Sequence, residues 1–193
     1  MSKIKYLIAI LFLSTSVAHA EGGGGGVGIN VGLGFPFLTQ AGVSYSFNDK
    51  LSISVEYGLL DIEVDDASLE LSMPSVMLNF HPFSGSWYIA GGVGEETLEA
   101  TATDTTTGFS IKGEVDATTT IAKTGWKWGK SNGGFWFGID FSYIMPSGGD
   151  STITTSGAVP GSSEELQDVQ DALDDFGDTS YANVTFARFG WIF

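Results

Sequence analysis

Beyond residue 20 the sequence holds one histidine, His81, and no cysteine, so the side chains most often used to activate a nucleophile or bind a transition metal are almost missing. Acyl transfer through a serine wants an imidazole base beside it. His81 precedes Pro82 and the turn-forming Phe83-Ser84-Gly85-Ser86, which suits a strand end better than a catalytic base. No histidine pair is spaced for zinc, and no Gly-Lys-Ser/Thr sequence is present. Gly22 to Gly26 reads as a flexible leader, not a phosphate cradle. The carboxylate pairs Asp65-Asp66, Glu95-Glu96 and Asp174-Asp175 fall in stretches read as loops, where water solvates them. No catalytic residue, cofactor-binding residue or metal ligand is therefore assigned, and no cofactor is expected. A formal net charge of -15 would repel a phosphate backbone, which excludes nucleic acid as a partner.

The ionisable residues of interest lie instead within alternating segments. Leu51, Ile53, Val55, Tyr57 and Leu59 alternate with Ser52, Ser54, Glu56 and Gly58. Phe135, Phe137, Ile139, Phe141 and Tyr143 alternate with Trp136, Gly138, Asp140 and Ser142, and Val27, Ile29, Val31 and Leu33 with small or polar residues. A period of two places each set on opposite faces of a strand. Turn signals at Asn48-Asp49-Lys50, Phe83 to Ser86 and Lys130 to Gly134 separate such runs. The breaks predict eight strands, at roughly 27–34, 41–47, 51–60, 70–81, 87–95, 111–129, 135–145 and 181–193. Short turns follow every second strand. Longer acidic loops are expected at Asp61 to Leu69, Glu95 to Ser110 and Met145 to Ser180.

That asymmetry of connections is what an even-numbered antiparallel membrane barrel produces. Inside an eight-stranded barrel there is room only for a filling of side chains, so the bulky apolar set belongs outside, against hydrocarbon. Trp87, Trp126, Trp128, Trp191 and Phe193 would then form an aromatic girdle on one rim. In this phase Glu56, Asp140, Arg188, Lys123 and Lys127 point inward. Because buried charges must pair, Glu56, Lys123, Asp140 and Arg188 are expected to form an interior charge network in a lumen filled by polar side chains. The fold class is all-β: an eight-stranded antiparallel transmembrane β-barrel.

The last long loop carries one helical signal. Ser162 and Glu165 have capping-box spacing, and Leu166, Val169, Leu173 and Phe176 recur at three- and four-residue steps before Gly177, which can end a helix. A short amphipathic helix is expected, its apolar face covering the barrel mouth.

At the other end of the chain, Lys3 and Lys5 precede an apolar run from Tyr6 to Leu13 and the small-x-small sequence Ala18-His19-Ala20. This is the pattern of a cleaved signal peptide, so the expected organisation is 1–20 signal, 21–26 leader and 27–193 barrel. The terminal Ala187-Arg188-Phe189-Gly190-Trp191-Ile192-Phe193 resembles the closing strand of small eight-stranded outer-membrane barrels of Gram-negative bacteria. The resemblance implies that Phe189, Trp191 and Phe193 form the assembly signal read by the barrel-assembly machinery. It also implies a cell outer membrane location, with a periplasmic N-terminus and extracellular long loops. Lipid and lipopolysaccharide are then the surroundings, with weak divalent-cation bridging from the acidic loop. A structural or surface-interaction role is expected. A narrow pore for small solutes or ions, and a lipid-modifying enzyme, are the alternatives.

Overall fold

The structure, a computed structural model, describes residues 26–104, 106, 108–129, 133–157 and 163–193. Its strands are β1 (Gly26–Phe35), β2 (Thr39–Ser46), β3 (Leu51–Val64), β4 (Ala67–Phe80), β5 (Trp87–Asp104), β6 (Phe109–Gly129), β7 (Gly134–Ser156) and β8 (Tyr181–Ile192). One helix, α1 (Ser163–Asp178), lies between β7 and β8. Each strand pairs antiparallel with the next and β8 pairs with β1, closing the barrel. Closure removes the sheet edge around the ring, while the extensions of β3 past Leu59 and of β7 past Ile144 are paired on one side alone. The proposed signal peptide, most of the Gly-rich leader and the capping residue Ser162 lie outside the described residues, and Gly26 already belongs to β1.

The eight strands stand where the alternation puts them, but β5 and β7 are much longer than expected and β3, β4 and β6 begin or end a few residues further out. Asp61 to Leu69 continues the β3–β4 ladder to a turn at Asp65-Asp66, and Glu95 to Ser110 is mostly the upper part of the β5–β6 hairpin. Met145 to Ser156 extends β7 along β6. Polarity alone does not end a strand. Threonine-rich, charged sequence keeps pairing once it leaves an apolar environment, provided cross-strand pairs are tolerable. Glu99 and Glu114 face each other across β5 and β6, and Lys112 lies 2.9 and 3.4 Å from their carboxylates, relieving the repulsion. The barrel consequently has a high wall, β5–β6–β7, and a low one ending at Phe35 and Leu38.

Burial fixes which way the barrel faces. On β7, Phe135, Phe137, Phe141 and Tyr143 are exposed while Trp136, Gly138, Asp140 and Ser142 are buried. Ile29, Val31, Leu33, Leu78, Phe80, Ile89, Phe189 and Trp191 share the outer face. Trp126, Trp128, Trp191 and Phe193 are exposed near the short-turn rim, Trp87 is half-buried there, and Trp128 stacks on Phe137. Outward residues on β3 run from Leu51 to Leu59 before Asp61 and Glu63 replace them. At about 3.3 Å per residue and a tilt of 35 to 45° that stretch is about 20 to 25 Å tall. No helix among the described residues is long and apolar enough to cross a membrane.

The filling of the barrel departs from the expected polar lumen. Its half nearer the long connections holds an apolar cluster that includes Phe37, Leu60, Leu71, Met73, Met77, Val115, Ile121, Ile144 and Leu173. Phe37 comes from a connection and Leu173 from α1, whereas the others sit on the inward phase of the expected strands and put apolar side chains where polar ones are expected. Only the other half is polar. Bulky rings are not excluded from it either, because Trp136 fits where Gly190 stands opposite: a Cβ there would lie 2.4 Å from the indole.

Candidate functional site in the barrel lumen

Four strands deliver the charged side chains. Glu56 on β3, Lys123 on β6, Asp140 on β7 and Arg188 on β8 are each no more than 8% exposed. Arg188 donates from Nη2 to Glu56 Oε1 and from Nη1 to Asp140 Oδ2, both at 2.6 Å, and from Nε to Asn30 Oδ1 at 3.0 Å. Lys123 donates to Glu56 Oε2, and the Tyr88 hydroxyl donates to Asp140 Oδ1. Ser54 Oγ donates to Glu56 Oε1 at 3.0 Å and accepts from Asn79 Nδ2 at 3.1 Å. Every carboxylate oxygen thus has a donor, the condition under which a buried ion pair avoids a large desolvation penalty.

Local sequence makes this packing possible in two ways. Small residues stand in register beside large inward ones: Gly42 pairs with Glu56, Gly125 with Asp140, and Gly32 and Gly138 with Arg188. A Cβ on Gly125 would come within 2.5 Å of the Asp140 carboxylate. The second device is a β-bulge in β8. Gly32 pairs with Arg188, Leu33 with Ala187, and Gly34 with Thr185, leaving Phe186 as the extra residue. One extra residue reverses the phase, so Phe186 and Phe189 both face out while Thr185 and Arg188 both face in. Without it, a strand that keeps Thr185 inward would send Arg188 into hydrocarbon and Phe189 into the lumen together.

The cluster divides the lumen. Toward the short-turn rim lies a recess with about 430 Å³ of atom-free space, part of it open, bordered by Ser44, Ser52, His81, Lys127 and Trp136. Lys127 Nζ lies 4.4 Å from the centre of the Trp136 ring, a cation–π contact. His81 Nδ1 is 3.2 Å from the Gly85 carbonyl, which must accept. Burial, reinforced by nearby Lys127, holds its imidazole below the ordinary histidine range, so it is neutral at pH 7. On the far side of Glu56 a smaller, partly open space is lined by Gln40, Ser142 and Asn183, each with a buried side-chain atom that has no protein partner. Above it, Glu96 is buried and accepts from the Tyr181 hydroxyl at 2.6 Å.

Sequence reasoning missed Asn30, Ser54, Asn79 and Tyr88, which complete the charge cluster, and the Glu96–Tyr181 pair. Their inward phase was available, Tyr88 standing opposite to Trp87 and Ile89 in the alternation. Glu96 is hidden because the apolar alternation of its strand gives out at Glu95. The helix places Leu173 against Gly113 on β6, half-buries Leu166 and Phe176, and leaves Val169 39% exposed on its flank. Gly177 lies within α1 and not after it: its Cα comes so near Gly149 on β7 that a side chain at either would collide with backbone. Phe189, Trp191 and Phe193 lie on the outer face of the seam, where the Phe193 amide donates to the Val27 carbonyl at 2.9 Å. They do not join the luminal cluster. Among the described residues no group of three or more His, Asp or Glu side chains is arranged to hold a metal ion.

No protein-family model and no curated protein matches the chain. Among solved structures, it is similar to CarO of Acinetobacter baumannii, at 16% identity and a TM-score of 0.49 over 87% of this chain and 96% of that one. It is similar also to CarO2 of the same organism, at 12% identity and a TM-score of 0.49 over 87% of this chain and 97% of that one.

Proposed function

We propose that the protein is a non-enzymatic barrel of a Gram-negative outer membrane that acts through its outer surface, its lumen serving as a structural plug. The observation that carries this reading is the contrast between an outer belt of exposed aromatic and aliphatic side chains and a lumen crossed by a hydrogen-bonded ion cluster beneath an apolar layer. The N-terminus and short turns belong on the periplasmic side, and the high acidic wall with α1 outside, in contact with lipopolysaccharide and divalent cations. Phe189, Trp191 and Phe193 serve insertion by the barrel-assembly machinery.

A narrow pore is the second reading. It is favoured by the two luminal spaces that meet at Glu56, one of them lined by unpartnered polar atoms. The decisive experiment is a planar-bilayer recording on the purified chain, paired with an assay of lipid A and phospholipid turnover. A plug gives no steady conductance and no turnover. Steady unitary conductance establishes the pore instead, and lipid turnover that survives purification establishes an enzyme.

A further inference from the structure

The charges of the luminal cluster and the recess beside it, taken together, do not balance. Lys123, Lys127 and Arg188 supply three cations, against the two carboxylates Glu56 and Asp140. All four oxygens of those carboxylates are engaged by Ser54, Arg188, Lys123 and Tyr88. Lys127 has no carboxylate within 4.0 Å among the described residues, and its one close partner is the face of Trp136. A mostly buried ammonium without a counter-charge is costly, and a cation–π contact offsets only part of that cost.

The surroundings of Lys127 suit an anion. The recess opens toward the short turns, its walls carry the Ser44 and Ser52 hydroxyls, and Gly28 leaves room for Ser44, whose Oγ would be 2.7 Å from a Cβ placed there. The Trp136 indole N–H, on a side chain only 6% exposed, has no partner either. Above, the ion cluster closes the way onward. The outer wall beyond it is rich in carboxylates and would repel the same ligand.

We infer that this recess is a binding site for one small monovalent anion, of halide to short-carboxylate size, held by Lys127 with hydroxyl donors from Ser44 and Ser52. The anion enters and leaves by the short-turn end and does not cross the barrel. The ligand neutralises the surplus cation and bridges β2, β3 and β6 at the rim.

The test uses the full folded chain in detergent with ¹³C-labelled lysine, titrated with sodium bromide and then sodium acetate. Ionic strength is held constant with a bulky sulfonate. The Lys127 Cε resonance is expected to shift and saturate, and the two anions to compete. Calorimetric bromide affinity should fall at least about tenfold in K127Q and stay within severalfold of the wild type in K127R. A shift that grows linearly with salt, or an isotherm unchanged in K127Q, overturns the site. Should K127Q fail to fold, the wild-type titration decides alone, saturation supporting the site and its lack refuting it.

Discussion

Arg188 donates to Glu56, Asp140 and Asn30 at once, so strands β1, β3, β7 and β8 meet at a single guanidinium. A lysine could not reproduce this, because a point charge on a flexible stem lacks the planar fork that reaches several acceptors together. Replacing Arg188 with leucine leaves two buried carboxylates with a net loss of one cation, a change that costs about 3 to 5 kcal/mol. The expected result is a marked fall in the temperature at which the compact band disappears on semi-native gels. An unchanged midpoint would show that the cluster contributes nothing to stability. Removing both partners from one contact, as in R188L with D140N, should recover part of the loss, since an unpaired charge is more damaging than a missing pair.

At the scale of elements, α1 is the part of the molecule with the least ladder support. Its hold on the barrel is a row of packing contacts: Leu173 over Gly113, Gly177 against Gly149, and Phe176 stacked 6.3 Å from Tyr181. The Asp178 carboxylate also accepts from the Gly148 amide at 3.2 Å. Truncating Leu173 to alanine removes a buried side chain from the apolar layer, at about 2 to 5 kcal/mol. Because the strand ladder does not depend on the helix, the compact gel band should persist in L173A while amide exchange in α1 accelerates at least about tenfold. Loss of the compact band would mean that the helix is integral to barrel stability. The heptad-like spacing of Leu166, Leu173 and Phe176 made this helix readable in the sequence. Its bed was not readable, because β6 and β7 continue past the point where their alternation turns polar. The apolar layer is concealed only in part by this limit: Phe37 stands in a connection and Leu173 on the helix, but Leu60, Leu71, Met73 and Ile144 occupy the inward phase of readable strands. By contrast Glu56, Asp140 and Arg188 were legible as inward-facing, since the aromatics flanking them fix the phase locally. For Arg188 the three-residue step from Phe186 to Phe189 is itself the sequence trace of the bulge.

For the molecule as a whole, the outer belt inverts that of a water-soluble barrel: large apolar side chains face outward, while glycine, serine and paired charge share the interior with an apolar layer. An exposed apolar belt of this size exceeds what monomeric soluble proteins carry and requires a hydrocarbon neighbour. Spin labels report that neighbour directly. Nitroxides at Phe137 and Phe141, both about half exposed, should be relaxed by oxygen dissolved in the bilayer and shielded from a water-soluble nickel complex. Labels at Asp61 and Glu63, two and four residues past the last outward leucine of β3, should show the opposite preference. A label at Ser44, in the luminal recess, should be reached by the aqueous reagent from the short-turn end and not by oxygen in lipid. The three sites thus separate lipid, solvent and lumen within one chain. If Phe137 met the aqueous reagent while Ser44 met lipid, the outward phase would be reversed, and the charge cluster and plug would have to be assigned to the other face of every strand.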